Sequence, residues 1–269
     1  MSILATMEGT LFTLAQFENP EGITEADYSA LLNYTFGSLA ANVSYYYPMS
    51  AFESTGLPGF YAISTVLTDS YFKCPAYRAL RATINAGVPT WTYLDDHTPS
   101  CGFGVGLTAA DILKLLGPTH GSEISFVFAQ LTNLPPPSGS CSANEQEVQI
   151  SKVLTSAWTS MAANGNPNSG VDISGVPWPR YNVSGSQGLI IDNGTAIGYV
   201  NYTVCAFWDT IAAAQNSSMQ TASVQTAASS TSSSVPAAST TSSGAQMAFS
   251  TTSRMVLIFA LLALSSSIL

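Results

Sequence analysis

The chain has 269 residues, of which 16 are acidic and 7 are basic, so its formal net charge at pH 7 is −9. An acidic chain offers no electrostatic footprint for phosphate backbones, which excludes nucleic acid as an expected partner. Composition changes near residue 215. The part before it, here called the body, is rich in apolar and aromatic residues and long enough to bury a sizeable core.

The chain opens on a short apolar run, Ser2 to Met7, which predicts a strand leading into a turn at Glu8 and Gly9. The start of the sequence shows no basic region, no long apolar stretch and no small-residue cleavage site of a secretory signal peptide. We therefore expect the sequence to be the C-terminal part of a longer protein.

The middle of the body predicts two helices and a strand. Pro58 begins a helix that is expected to run to about Asp69, and a second helix over 76–82 is expected to stop at Gly87. The run 88–94 predicts a strand, with its proline near the start, where a missing backbone donor is tolerated.

His120 is one of only two histidines, and it follows a predicted helix directly. Thr108 and Asp111 form a capping-box pattern that opens this helix, and Gly117 with Pro118 ends it. A histidine on a loop held by a rigid element is a candidate general base, because a neutral imidazole accepts a proton near neutral pH. The simpler alternative is a surface or capping histidine that takes part in no chemistry.

A long amphipathic helix is predicted beyond the His120 segment. The pattern Ser142-x-x-Glu145 is a second capping box and predicts where this helix begins. The helix is expected to stop at Asn164 and Gly165. Its apolar stripe recurs at helical spacing and is expected to pack in the core and not to form a ligand site.

The last part of the body predicts a hairpin and a helix. Two apolar runs, 189–191 and 196–200, flank the turn sequence Asp-Asn-Gly-Thr at 192–195. The sequence Cys-Ala-Phe-Trp at 205–208 is expected to lie on the final helix of the body.

The C-terminal part of the chain predicts a stalk and a lipid anchor. More than half of the residues from 217 to 253 are Ser or Thr and none is charged, so 216–253 is expected to be a disordered, O-glycosylated stalk. In the hydrophobic tail 254–269, the residues after Arg254 would span about 22 Å as a helix, less than the ~30 Å hydrocarbon core. Small residues at 243–245, a spacer and this tail match a glycosylphosphatidylinositol attachment signal, with Ser243 as the candidate attachment residue. Attachment at Ser242 and an ordinary tail anchor are the alternatives, and in every case the membrane tethers the body through its C-terminus.

Four cysteines and several Asn-x-Ser/Thr sequons indicate a secretory route. Spacing leaves all three pairings of the cysteines open, and no two of them lie at zinc-ligand spacing, so neither a metal nor another cofactor is expected. The sequon asparagines, which are candidate glycosylation sites, are Asn33, Asn42, Asn182, Asn193, Asn201 and Asn216.

Several segments of the body resemble those of one family. His-Gly-x-Glu-Ile-x-Phe-Val-Phe at 120–128 resembles the segment around the catalytic histidine of type-B carboxylesterases, and Glu-Gly-Thr-Leu-Phe at 8–12 resembles the segment of their catalytic glutamate. Other motifs fall in the order of the family over residues 2–214. They are Thr-Asp-x-x-Phe-x-Cys-Pro at 68–75, Trp-x-Tyr at 91–93, Gly-Asn-Pro-Asn at 165–168, Trp-Pro-x-Tyr at 178–181 and Cys-x-Phe-Trp at 205–208.

The resemblance implies an α/β class for residues 1–215, as the C-terminal part of an α/β-hydrolase fold with late sheet strands and packing helices. It implies that Glu8 orients His120, which would act as the base on a serine. It also implies that Asp69 and Glu123 occupy structural positions.

The resemblance also bears on the cysteines. Cys74 and Cys205 match a pair that is bridged in members of the family. Cys101 and Cys141 remain as the second expected pair.

The function expected from these features is that of a secreted, surface-anchored carboxylic ester hydrolase at the extracellular face of the plasma membrane, acting on a small-molecule or lipid ester. The sequence contains no Gly-x-Ser-x-Gly and no Gly-Gly-Gly run, so the nucleophile and the oxyanion hole are expected in an N-terminal part of the same fold. One alternative is a binding or adhesion module that has lost catalysis. Another is a mucin-like wall protein, which would explain the tail alone.

Overall fold

The computed structural model describes residue 2 and residues 4–17, 19–102, 110–132, 142–169 and 177–229. The chain divides into two compact units, Met1–Cys205 and Ala206–Leu269. The first unit contains a small sheet, most of the helices, Glu8 and His120. Several residues and segments named above lie outside the described residues. They are Thr108, Cys141, Ser242, Ser243, the stalk beyond residue 229 and the tail 254–269.

Helices account for most of the described secondary structure. The α-helices of the described residues are α1 (Thr10–Gln16), α2 (Glu25–Phe36), α3 (Ala40–Tyr46), α4 (Pro58–Leu67), α5 (Cys74–Asn85), α6 (Ala110–Leu116), α7 (Ile124–Val127), α8 (Glu145–Asn164) and α9 (Cys205–Ser229). Short 3₁₀ turns lie at Pro20–Gly22, Gly37–Leu39 and Met49–Thr55, and a π-helical turn, Thr68–Lys73, joins α4 to α5.

The sheet has the order β1 (Tyr93–Asp95), β2 (Gln187–Ile191), β3 (Thr195–Tyr199), with β1 and β2 parallel and β2 and β3 antiparallel. The opening run of the chain pairs in parallel with β1 and the residue before it, through isolated bridges from Ser2 to Thr92 and from Ala5 to Asp95. Helices around a small mixed sheet confirm the α/β class.

The structure contains the predicted hairpin and the predicted strand before it, with changes only in where they begin and end. The hairpin at 187–199 is confirmed, and its turn is the expected Asp-Asn-Gly sequence. The strand predicted over 88–94 is shorter, because β1 begins at Tyr93. The carbonyl of Thr90 instead accepts a hydrogen bond from the backbone N–H of Tyr181, at 2.7 Å, outside any strand ladder.

One buried core cluster lies between the sheet and α8. Buried aromatic and aliphatic side chains of β1 and β2 meet the apolar stripe of α8, as the helical spacing predicts. The residues of this cluster include Trp91, Tyr93, Phe126, Ile150, Leu154, Ala157, Trp178, Leu189 and Ile191. Phe126 brings α7, directly after the His120 loop, into the same core.

The start of α8 corrects one prediction. The capping box is formed by Asn144 and Glu147, and not by Ser142 and Glu145. The Asn144 side chain accepts from the Glu147 N–H at 2.9 Å, and the Glu147 carboxylate accepts from the Asn144 N–H at 2.8 Å. Both pairs have the required spacing. A tertiary contact selects the second one, because the same carboxylate also accepts from the Ser100 hydroxyl.

The helices around residue 70 follow the predictions closely. α4 begins at Pro58 and ends at Leu67, and the π-helical turn carries the helical path through Asp69 into α5. Gly87 has a φ of +73°. This left-handed conformation is common just after a helix and is adopted without strain mainly by glycine. Gly87 lies just beyond the C-cap of α5, where the sequence predicts the stop.

The last helix extends beyond its predicted end. α9 continues to Ser229, so residues 216–229, which the sequence predicts to be disordered, are helical. This stretch contains no glycine or proline, and its alanines and glutamines are good helix formers. Within the ranges described above, no helix has both the length and the apolar character needed to cross a membrane.

The disulfide between Cys74 and Cys205 is confirmed. It joins the first residue of α5 to the first residue of α9, across 131 positions of sequence. Cys101 is also disulfide-bonded. Its expected partner, Cys141, belongs to a stretch that the structure does not describe.

Removing both sulfurs as Cys74→Ala/Cys205→Ala should lower the free energy of unfolding by about 2 to 5 kcal/mol, because the bridge restricts the unfolded chain over a long loop. Denaturant unfolding without reductant measures this difference. A loss below about 1 kcal/mol would show that the bridge contributes little to stability.

Candidate active site

Glu8 is held in a turn beside the end of β1. The backbone N–H of Ala5 donates to its Oε1 at 2.7 Å, which fixes the carboxylate against the chain that leads into the turn. The preceding residue, Met7, donates its N–H to the carbonyl of Pro118 at 3.0 Å, and this contact links the turn to the His120 loop. Glu8 is only 5% exposed, so its carboxylate is largely removed from water.

Gly9 allows the turn to pack against α4. A Cβ at this position would lie 2.1 Å from the carbonyl oxygen of Ser64 and 2.9 Å from the Cβ of Leu67, closer than atoms can approach. The N–H of Gly9 donates to the Thr68 hydroxyl at 2.9 Å. A glycine is therefore needed directly after Glu8, because a side chain there would clash with α4.

His120 lies in the turn that follows α6. Gly117 has a φ of +60° and donates its N–H to the carbonyl of Leu113, which ends the helix as the sequence predicts. The Thr119 hydroxyl contacts the Thr10 hydroxyl at 2.8 Å and accepts from the Leu11 N–H at 3.2 Å. These bonds attach the His120 loop to the start of α1.

The two candidate residues are in direct contact. Nδ1 of His120 lies 2.6 Å from Oε2 of Glu8. With Nδ1–H donating to the carboxylate, Nε2 of the neutral ring keeps its lone pair and can accept a proton. The His120 side chain is 40% exposed and that of Glu8 is 7% exposed, so a buried carboxylate orients an imidazole that solvent can reach.

Two phenylalanines hold the imidazole ring. Phe72, on the π-helical turn, has its ring centroid 4.8 Å from that of His120, and Phe12, on α1, lies at 5.4 Å. The two phenyl rings stack on each other at 5.5 Å. Both residues belong to the segments that resemble the family, but sequence alone did not indicate that they contact the histidine.

The pKa of His120 is set by opposing effects. Burial lowers it, whereas the hydrogen bond to Glu8 and the negative charges of Glu8 and Glu123 raise it, and the net result lies above the usual 6.5. A histidine with a raised pKa holds its proton more firmly once it has accepted it.

Two more buried carboxyl groups lie close to this pair. Burial, with the charges of Glu8 and Asp95, raises the pKa of Glu123 to about 7. Burial likewise raises the pKa of Asp95 to about 6, against the lowering effect of a hydrogen bond from Ser122. Sequence reasoning did not find Asp95. The available signal was its position directly after the predicted strand, where sites of α/β folds are built.

The second histidine, His97, belongs to a different network. Its Nε2 lies 3.2 Å from the Glu147 carboxylate. Burial alone would raise the pKa of Glu147, but hydrogen bonds from His97, Ser100 and Asn144 lower it to about 2. His97 is only 6% exposed, so it joins the loop after β1 to α8 and does not face solvent as His120 does.

A small cavity opens beside His120. It has a volume of about 60 Å³ and a mostly apolar lining that includes Leu11, Leu113 and Leu116, together with His120 and Ser122. Among the residues that the structure describes, no cluster of His, Cys, Asp and Glu could hold a metal ion. The site therefore combines a carboxylate–imidazole pair with an adjacent apolar recess.

Comparison with known proteins gives the family. The model described as "Carboxylesterase family" matches residues 30–208, which include His120 and both cysteines of the Cys74–Cys205 bridge. The chain belongs to the carboxylesterase family. Glu8 lies before the matched range, so its assignment depends on the contact with His120.

Individual relatives include an acyl-CoA hydrolase, carboxylesterases and acetylcholinesterases. The chain is similar to the medium-chain fatty acyl-CoA hydrolase precursor of Anas platyrhynchos, with 32% identity over 117 residues, covering 44% of the chain and 18% of that protein. It is also similar to carboxylesterase 1D of Rattus norvegicus, with 28% identity over 151 residues, covering 56% of the chain and 24% of the relative. Acetylcholinesterase of Gallus gallus is 28% identical over 149 residues, covering 55% of the chain and 18% of that protein. The chain thus spans about a fifth of the length of these relatives.

Replacing Glu8 with Gln should lower the pKa of His120, because the substitution removes the negative charge that favours the imidazolium form and leaves the burial unchanged. NMR titration of the assigned imidazole C–H resonances measures the pKa of His120. His97 provides an internal control, since its own raised pKa depends on Glu147 and should not change. An unchanged His120 pKa in the variant would show that Glu8 does not control the histidine.

Proposed function

We propose that the chain is the C-terminal part of a carboxylic ester hydrolase in which His120 is the general base and Glu8 its orienting carboxylate. The observation that carries this proposal is the 2.6 Å contact between Nδ1 of His120 and Glu8, with the imidazole partly open to solvent. Membership of the carboxylesterase family supports it.

The proposed reaction is acyl transfer through a serine. Nε2 of His120 takes the proton from the serine hydroxyl as the oxygen attacks the ester carbonyl, and Glu8 stabilises the imidazolium that forms. The imidazolium then gives its proton to the departing alcohol, leaving an acyl-enzyme. Water, activated by the same histidine, releases the acid and restores the serine.

We infer that the nucleophile comes from residues outside this sequence. No Gly-x-Ser-x-Gly turn and no Gly-Gly-Gly run occurs in the 269 residues. In the α/β-hydrolase chain order the serine precedes the acid and the histidine. We propose that the serine and the oxyanion-hole amides lie in an N-terminal part of a longer protein.

The substrate we propose is an ester with a small apolar group on one side of the scissile bond. The cavity beside His120 is narrow, at about 60 Å³, and Leu11, Leu113 and Leu116 give it an apolar lining. Such a recess favours an aliphatic group over a charged one, because a charge would lose its hydration there without gaining a partner.

In the full-length protein, His120→Gln should reduce kcat for short-chain esters by roughly 10⁴-fold or more, because the serine loses its proton acceptor. The matched control is His97→Gln, which changes the other histidine of the chain and can still donate to Glu147. The control should retain kcat within a few-fold. Wild-type turnover by His120→Gln would refute the base assignment, and an inactive wild type with intact folding would favour a binding or adhesion module.

We also propose a cell-surface location with glycosylation. All six sequon asparagines are exposed, so each could carry a glycan without disturbing the core. They are Asn33, Asn42, Asn182, Asn193, Asn201 and Asn216. The small residues around Ser243 and the apolar tail that follows support attachment to a glycosylphosphatidylinositol lipid.

Treatment of intact cells with a phospholipase C specific for phosphatidylinositol should release the full-length protein into the medium, because it would cut the lipid from a glycosylphosphatidylinositol anchor. Immunoblotting of the two fractions measures the release. A protein that stays with the membrane after cleavage of a known anchored marker would instead have an ordinary tail anchor.

A further inference from the structure

Asp95 lies where the two halves of the candidate site meet. It is the last residue of β1 and is fully buried. Its backbone N–H donates to the carbonyl of Leu4 at 2.8 Å, and its carbonyl accepts from the N–H of Thr6 at 2.9 Å. These two bonds fix both neighbours of Ala5, whose own N–H binds the Glu8 carboxylate.

The Asp95 side chain reaches the other half of the site. Its Oδ2 accepts a hydrogen bond from the Ser122 hydroxyl at 2.9 Å, and its Oδ1 accepts from the His97 N–H at 3.2 Å. Ser122 follows His120 by two residues, with Gly121 between them at a φ of +77°. The loop therefore relies on tertiary contacts to hold its conformation, and Ser122 supplies one of them.

The hydrogen bond from Ser122 to Asp95 is strengthened because its acceptor is a carboxylate. A carboxylate is costly to bury, and its burial is tolerated where hydrogen-bond donors meet it. Burial raises the pKa of Asp95, whereas the hydrogen bonds from the Ser122 hydroxyl and the His97 N–H lower it and so favour the ionised carboxylate. Hydrogen bonds to an ionised acceptor are stronger than those between neutral groups, so Ser122 is held more firmly than a hydroxyl bound to a carbonyl.

We propose that Asp95 is a positioning residue for the proton-accepting histidine: its backbone sets the chain that carries Glu8, and its carboxylate, through Ser122, sets the loop that carries His120. One residue thus adjusts both partners of the Glu8–His120 contact. The inference rests on the proposed function for its kinetic consequence, because a misplacement of about 1 Å can cost an enzyme about 100-fold in rate.

Ser122→Ala tests this role in the full-length protein more cleanly than a change of Asp95, whose removal from the core could prevent folding. The variant loses only the hydroxyl that Asp95 holds. We expect kcat for a short-chain ester to fall between about 10-fold and 100-fold, with KM within about threefold, because the leucines that line the substrate recess remain while the imidazole is less well aimed. A wild-type kcat, or a change confined to KM, would overturn the proposal.

A second measurement reports the geometry without turnover. The Nδ1 proton shared between His120 and Glu8 should give a low-field NMR resonance in the wild type, and Ser122→Ala should broaden or abolish it. Tyr47→Phe is the matched control, because it also removes a hydroxyl donor from a buried carboxylate, that of Asp69, at 2.8 Å. The control should retain both the resonance and kcat.

The two measurements separate the possible failures. A resonance that persists unchanged in Ser122→Ala would overturn the positioning role whatever the activity. If the wild-type protein hydrolysed no ester while Ser122→Ala still lost the resonance, the proposed function would fail and the positioning role would stand.

Discussion

The contact between Glu8 and His120 joins residues 112 positions apart, and the rest of the candidate site depends on it. Neither side chain could hold this geometry alone, because each lies on an irregular segment. The turn of Glu8 is fixed by the end of β1 and by the close approach of Gly9 to α4. The loop of His120 is fixed by the end of α6 and by bonds to α1.

The electrostatics of the site follow from burial. Carboxyl groups of Glu8, Asp95 and Glu123 share a small, poorly hydrated region, and burial raises the pKa of the last two. A positive charge that forms on His120 would be stabilised among them. The arrangement therefore favours the protonated imidazole, which general-base catalysis generates at each turnover.

Sequence predicted the features that local chemistry controls. Gly117 and Gly165 end their helices with left-handed φ values, and the Asp-Asn-Gly turn closes the hairpin. It also predicted the pairing of Glu8 with His120, but only through the resemblance to a family, because nothing local relates residues so distant.

What sequence did not predict depends on tertiary contacts. The box at the start of α8 uses Asn144 because Glu147 also meets His97 and Ser100 from another part of the fold. The contact between Asp95 and Ser122 links the end of β1 to the His120 loop across 27 residues and leaves no periodic signal. α9 continues past its predicted end because helix propensity outweighed a composition typical of disorder.

The pH dependence of kcat/KM in the full-length protein tests the central claim most directly, since this ratio reports ionisations of the free enzyme. We expect kcat/KM to rise with pH through one ionisation whose pKa equals that of His120 measured by NMR, above 6.5. A kcat/KM that stays constant through that pKa would show that His120 is not the base.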